Sequence, residues 1–339
     1  MPRVLQIQTP EPRLRPAGAW SLAGVQAGVC GIALFWILFP GAALAGGSAD
    51  VLELPQDIEN PAVAEGAPAP GVTVLQALPQ YAGTRVAHTL HLPADWVPGR
   101  RFPVLVEYSG NSVPVRGNKG IGFALTESRG FLWVVLPFVG TDRQKDEEWW
   151  WGDVSATVEY AKAAVSEICE KWGGDSRNVV LAGYSRGAIA CNYIGLHDDE
   201  IARLWRAMVV VSHYDDAHIP WGMSPEERSR APERIRRLGD TPQLICGEYC
   251  SRPQSGNDVE LRKQVRTHSG FDAAQAALGL EPLVEVEGTR AFVQRHCPTG
   301  QHTFLELPWV NHGSAVFLRN TPERTQIRAW LRSAVGGLP

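Results

Sequence analysis

The chain has 339 residues, 44% of them hydrophobic, with 34 Gly, 25 Pro and a net charge of −4. That supplies one large core and many turns, which fits a single large α/β domain better than two independent ones. There is no basic excess to hold nucleic acid, and arginines scattered among acids describe a mixed, solvated surface.

Residues 1–45 predict an export signal. Arg3, Arg13 and Arg15 make a positive start, Val29 to Phe39 is largely apolar, and Ala43-Leu44-Ala45 offers a cleavage site before Gly46. Uncleaved, Leu22 to Ala45 would be just long enough to span a bilayer, so a membrane is expected as a partner only if the leader stays attached. Pro40, Gly41 and the small residues beyond them favour cleavage, and the mature protein is expected to be secreted or periplasmic. Disulfides persist there. Without Cys30, five cysteines remain. Cys169 and Cys191 read as plain buried thiols, whereas Cys246, Cys250 and Cys297 can supply one bridge. No cysteine spacing suits zinc and no glycine-rich nucleotide signature occurs, so neither a metal nor a cofactor is expected.

Residues 46–71, rich in Ala, Pro and acids, read as a flexible linker, leaving 72–339 for the folded domain. Arg85 to Leu92 alternates like a half-buried antiparallel strand. Phe102 to Tyr108 and Phe131 to Leu136 are continuously apolar, as in strands covered on both faces. Asp153 can cap a helix whose apolar positions run Val154, Val158, Ala161, Val165, Ile168 and Trp172, ended by Gly173-Gly174. Further strands are expected at Arg177–Ala182, Ala207–Val211, Gln243–Gly247 and, last, Thr303–Leu307, before a closing helix from Thr321-Pro322. Strands alternating with helices imply a doubly wound, mainly parallel sheet.

The chemistry centres on Gly183-Tyr184-Ser185-Arg186-Gly187, which joins the end of an apolar strand to a helix-compatible stretch. Such a strained turn exposes a serine hydroxyl, and a Cβ at either glycine would crowd it. A hydroxyl is a weak nucleophile and needs a base oriented by an acid. Asn311-His312-Gly313, directly beyond the last strand, places His312 where that base belongs. His302 precedes the strand, and His213 is a residue that can line the pocket. For the acid, Glu248 follows the next-to-last strand most closely, Asp215 ends the strand before it, and Asp258 lies further along the Glu248 loop. Oxyanion donors are expected from the Arg186 amide and from Gly110 or Asn111 after the Phe102–Tyr108 strand. Tyr184 beside the serine is a candidate substrate contact. Trp149-Trp150-Trp151 cannot all point inward from one regular element, so at least one is expected at a surface or cleft, as an aromatic wall for an apolar or sugar-like group or as plain packing.

Together these residues resemble the α/β-hydrolase superfamily over roughly residues 80–335, judged by strand order around the elbow. The elbow, the leader and a compact core look like secreted esterases related to polyhydroxybutyrate depolymerases and feruloyl or acetylxylan esterases. That resemblance implies hydrolysis of a small-molecule or polymeric carboxylic ester, with Ser185 as nucleophile, His312 as base and an acid after a late strand. Such enzymes often carry Asp three residues after the strand-end glycine. Here that position is Cys250, so the acid stays open among Glu248, Asp215 and Asp258. A peptidase of the same fold and a non-catalytic binding protein that keeps the fold are the alternatives.

Overall fold

Continuously apolar strands need a cover on each face. In a computed structural model of the protein, which describes residues 51–249, 271–280, 293–297, 300–308 and 312–336, they obtain it inside a ten-stranded sheet. In chain order the strands are β1 (Val63–Ala64), β2 (Thr73–Gln76), β3 (His88–His91), β4 (Phe102–Tyr108), β5 (Leu132–Leu136), β6 (Gly174–Tyr184), β7 (Ala207–Val211), β8 (Gln243–Tyr249), β9 (Val293–Cys297) and β10 (Gly300–Pro308). They lie in the order β1-β2-β3-β5-β4-β6-β7-β8-β10-β9. From β5 through β10 every neighbouring pair is parallel. The antiparallel pairs lie toward the two ends, at β2–β3, β3–β5 and β9–β10.

Alternate residues of each strand serve opposite faces. Val104, Val106, Leu132, Val134, Val179 and Leu181 pack with Val158, Ala161 and Val165 of one helix and Ala188 and Ile189 of another. Leu105, Trp133, Val135, Val180, Ala182 and Leu244 pack with Ala124, Leu125, Ile327 and Leu331 on the other side. The helices concerned are α1 (Gly122–Thr126), α2 (Val154–Lys171), α3 (Arg186–Tyr193) and the closing helix Pro322–Ala334. This is the doubly wound α/β-hydrolase fold. Its caps follow the sequence: the Asp153 carboxylate accepts from the Ala156 N–H, and the Thr321 hydroxyl from the Arg324 N–H.

Four expectations change. Residues 46–71 are not a free linker from Val51 onward. Both Asp57 carboxylate oxygens accept from Arg324, at 2.7 and 2.6 Å, and the Asn60 side chain donates to the carbonyls of Asn118 and Gly120. Composition misleads here because a few polar side chains tie the segment to residues far along the chain. Second, β9 adds an edge strand, too polar to show an apolar pattern because it pairs on one side only. Third, His302 lies within β10, opposite Gln243 of β8, rather than before it. Fourth, Cys246 is a free, buried thiol and takes no part in the bridge expected with Cys250 and Cys297. It faces the apolar layer with Leu244 and Leu305, and burial pushes its pKa up. Cys250 and the Cys297 side chain lie outside the described residues, as do the leader and Asp258. Among the described residues no helix is long and apolar enough to cross a membrane.

The core also encloses three histidines. His88 Nδ1 meets the Tyr160 hydroxyl at 2.9 Å, and His91 lies between the hydroxyls of Thr73 and Ser128. His302 has no hydrogen-bond partner among the described residues. Burial lowers the pKa of each to about 4. Because the unfolded chain binds these protons first, the stability they protect is present above pH ~6.5 and is lost as pH falls through ~4. For His88 alone the effect is on the order of 3 kcal/mol. The urea midpoint should therefore fall steeply between pH 6.5 and 4, and His88→Gln should flatten that slope by about one proton's worth.

Candidate active site

The serine turn is shaped by what glycine leaves out. A Cβ on Gly183 would lie 2.0 Å from the Gly187 carbonyl oxygen, and one on Gly187 would lie 1.9 Å from that of Tyr108. With neither present, β6 ends hard against the start of α3. Ser185 between them adopts φ 58° and ψ −122°, a conformation that costs about 1–3 kcal/mol for a residue with a side chain. Its N–H is held by the Val211 carbonyl at 3.1 Å.

Strand register then assembles the site. Tyr184 pairs with Val211, Val211 with Cys246 and Cys246 with Leu305. Ser185 and Ser212 each stand one residue beyond that row, and Glu248 two beyond it. The expected strand end at Gly247 is too early; β8 runs to Tyr249, so Glu248 projects from a strand instead of a loop. His312 returns just after β10. Its Nε2 lies 3.0 Å from Ser185 Oγ, and its Nδ1 lies 3.0 Å from Glu248 Oε2. With Nδ1–H donating to the carboxylate, Nε2 is left to accept the serine proton.

Two residues missed in the sequence complete this row. Ser212, held at φ 83°, donates to Glu248 Oε2 at 2.9 Å, and its oxygen lies 3.1 Å from His213 Nδ1 and 3.3 Å from His312 Nδ1. A strand-end serine carries no distinguishing signal in sequence. The other is the Arg186 side chain, for which only the amide had been expected to matter. Its guanidinium is buried against the carbonyls of Gly110, Glu147 and Trp150.

The His312 ring stacks with those of Tyr184 and His213, each with centroids 5.0 Å away, and Trp221 stacks on His213 at 4.5 Å. Tyr184, expected to touch substrate, thus packs on His312, and its hydroxyl donates to Glu248 Oε1 at 3.1 Å. Burial and the nearby carboxylate push its pKa up, so it remains a donor. His213, expected as a residue that can line the pocket, stacks between Trp221 and His312.

Asp215 is not brought to His312. It is fully buried, and both of its oxygens accept from Arg234, at 2.7 and 3.0 Å. Burial raises its pKa, and the guanidinium opposes that shift. Near the serine, a Cβ on Gly110 would lie 3.6 Å from Ser185 Cβ, and the backbone N–H groups of Gly110, Asn111 and Arg186 find no acceptor among the described residues. The Asn111 side chain accepts from the Trp150 N–H at 3.0 Å. The three tryptophans divide: Trp149 is 60% exposed, Trp150 is half-buried and Trp151 is buried against Phe138 and Tyr193. Among the described residues no group of three His, Cys, Asp or Glu side chains is placed to hold a metal ion.

No family model and no curated protein matches the chain. Among solved structures, the AtxE2 isopeptidase with bound astexin-3 is 15% identical, with a TM-score of 0.49, and the alignment covers 78% of this chain and 40% of that one. An esterase of Pyrobaculum calidifontis is 15% identical at TM-score 0.48, with 79% and 87% covered. An esterase of Rhizomucor miehei is 12% identical at 0.45, with 78% and 84% covered. The chain thus spans about two fifths of the isopeptidase's length. These three TM-scores are below 0.5, and the fold is carried by the strand order itself.

The two buried carboxylates should respond differently to loss of charge. Asp215→Asn leaves Arg234 without its anion in the core and should lower unfolding free energy by about 3–5 kcal/mol. Glu248→Gln should cost much less stability, as chemical denaturation of both variants will show.

Proposed function

We propose that the protein is a serine esterase that hydrolyses carboxylic esters through an acyl-enzyme. The observation that carries this reading is the hydrogen-bonded row from Ser185 Oγ through His312 to Glu248, with 3.0 Å at each step. In the proposed cycle Ser185 Oγ attacks the ester carbonyl while His312 Nε2 takes its proton. The tetrahedral oxyanion rests against the amide of Arg186 and those of Gly110 or Asn111, and collapse expels the alcohol, which receives the proton from His312. Water, deprotonated by the same imidazole, then attacks the acyl-enzyme and releases the acid. Glu248 accepts from Nδ1–H and so holds His312 in the tautomer that accepts at Nε2, while Ser212 and Tyr184 donate to the same carboxylate. No step calls for a cofactor.

The acid is assigned to Glu248 because Asp215 is engaged by Arg234. For the substrate, the resemblance to the secreted esterases named above suggests a small or polymeric ester, and the exposed Trp149 beside the Asn111 loop offers an aromatic surface for it. Placement outside the cytoplasm rests on the Ala43-Leu44-Ala45 site and belongs to the same proposal.

The purified protein should cleave short-chain p-nitrophenyl esters, and Ser185→Ala should abolish this. Glu248→Gln should lower kcat by on the order of 10³–10⁴ with little change in KM, as loss of a triad acid does. A preference for p-nitroanilide amides over the esters would turn the assignment to a peptidase, and no turnover of either would indicate a binding protein.

A further inference from the structure

Arg186 is the residue after the serine, yet its side chain turns into the core and is only 1% exposed. Nη2 donates to the Gly110 carbonyl at 3.1 Å, and Nε reaches that of Ser109 at 3.5 Å. Nη1 donates to the carbonyls of Trp150 and Glu147, at 2.8 and 3.2 Å. Cζ stands 3.9 Å above the Phe138 ring. Among the described residues no carboxylate forms an ion pair with it. Burial brings its pKa down to about 9, so the group stays charged at neutral pH. A buried cation without a counter-anion is costly unless neighbouring dipoles solvate it. Here four main-chain carbonyls and a ring face do so, and the carboxylates of Glu147, Asp146 and Glu148 add a longer-range attraction without direct contact.

Those carbonyls belong to two loops: Ser109 and Gly110 lie in the one beside Ser185, and Glu147 and Trp150 lie in the other. In a trans peptide the N–H points opposite to the C=O. Drawing the Ser109 and Gly110 oxygens toward the guanidinium therefore turns the Gly110 and Asn111 amides away from it, and Gly110 lies against Ser185. The second loop is zipped to the first by the bond from Trp150 N–H to the Asn111 side chain and by that from Ser112 N–H to the Glu148 carbonyl.

We infer that Arg186 is a positioning residue: its guanidinium orients the Gly110 and Asn111 amides as oxyanion donors and locks that loop to the Trp149–Trp151 segment. A single residue then governs both sides of the oxyanion site, one donor through its own amide and the other through its side chain. The inference rests on the ester-hydrolase reading.

The test compares wild type with Arg186→Lys and Arg186→Ala on p-nitrophenyl acetate, together with the affinities of a trifluoromethyl ketone, which forms an oxyanion on the serine, and of the matching alcohol, which does not. Lysine keeps a charge and a stem but cannot bond four carbonyls. In both variants kcat should fall on the order of 10²-fold, as for loss of one oxyanion donor, with KM within threefold. Ketone affinity should drop in parallel while alcohol affinity holds, and added guanidinium ion should restore part of the Arg186→Ala rate. If the alanine variant does not fold, the lysine variant decides. A folded lysine variant with kcat within threefold of wild type, or equal loss of ketone and alcohol binding, overturns the inference alone. A wild type that turns over no ester overturns the parent reading as well.

Discussion

The Tyr108 carbonyl oxygen occupies the space a Cβ on Gly187 would need, and most of the site depends on that approach. It lets α3 descend onto the ends of β4 and β6, which puts Ser185 at the crest of the turn and the Arg186 amide at the first position of the helix. It also brings the residues after β4 close enough for the Arg186 side chain to take their carbonyls. A bulkier residue at 187 would lift the helix and separate the serine from the Gly110 loop in one movement.

Parallel strands in register do the rest of the positioning. The row Tyr184, Val211, Cys246 and Leu305 marks a common level across four strands, and Ser185, Ser212 and Glu248 project just past it. Strand alternation puts Glu248 on the same face as Cys246, where the hydroxyls of Tyr184 and Ser212 reach it. Asp215 lies only a few residues past the same edge, but α-helical Arg234 meets it from the side and neutralises it. Two buried acids so placed differ less in their own chemistry than in what each neighbour donates: a guanidinium to one, hydroxyls and an imidazole to the other.

Much of the architecture was legible in the chain. The apolar runs at Phe102–Tyr108, Leu132–Leu136 and Ala207–Val211, and the caps at Asp153 and Thr321, lie where local chemistry puts them. The edge strand β9 leaves no apolar pattern in the chain because a strand paired on one side need not be apolar. The segment after Val51 looked like a tether because composition does not show that Asp57 will find Arg324, 267 positions away.

For the candidate site, sequence by itself determined the residues whose placement is local. Ser185 is announced by two glycines at fixed spacing, and His312 by its place after a strand. Only the tertiary structure decided which carboxylate faces His312, that Ser212 links it to both imidazoles, and that the Arg186 side chain points inward. Those facts depend on strand register and on which distant groups are already paired, and neither leaves a mark on the residues nearby in the chain.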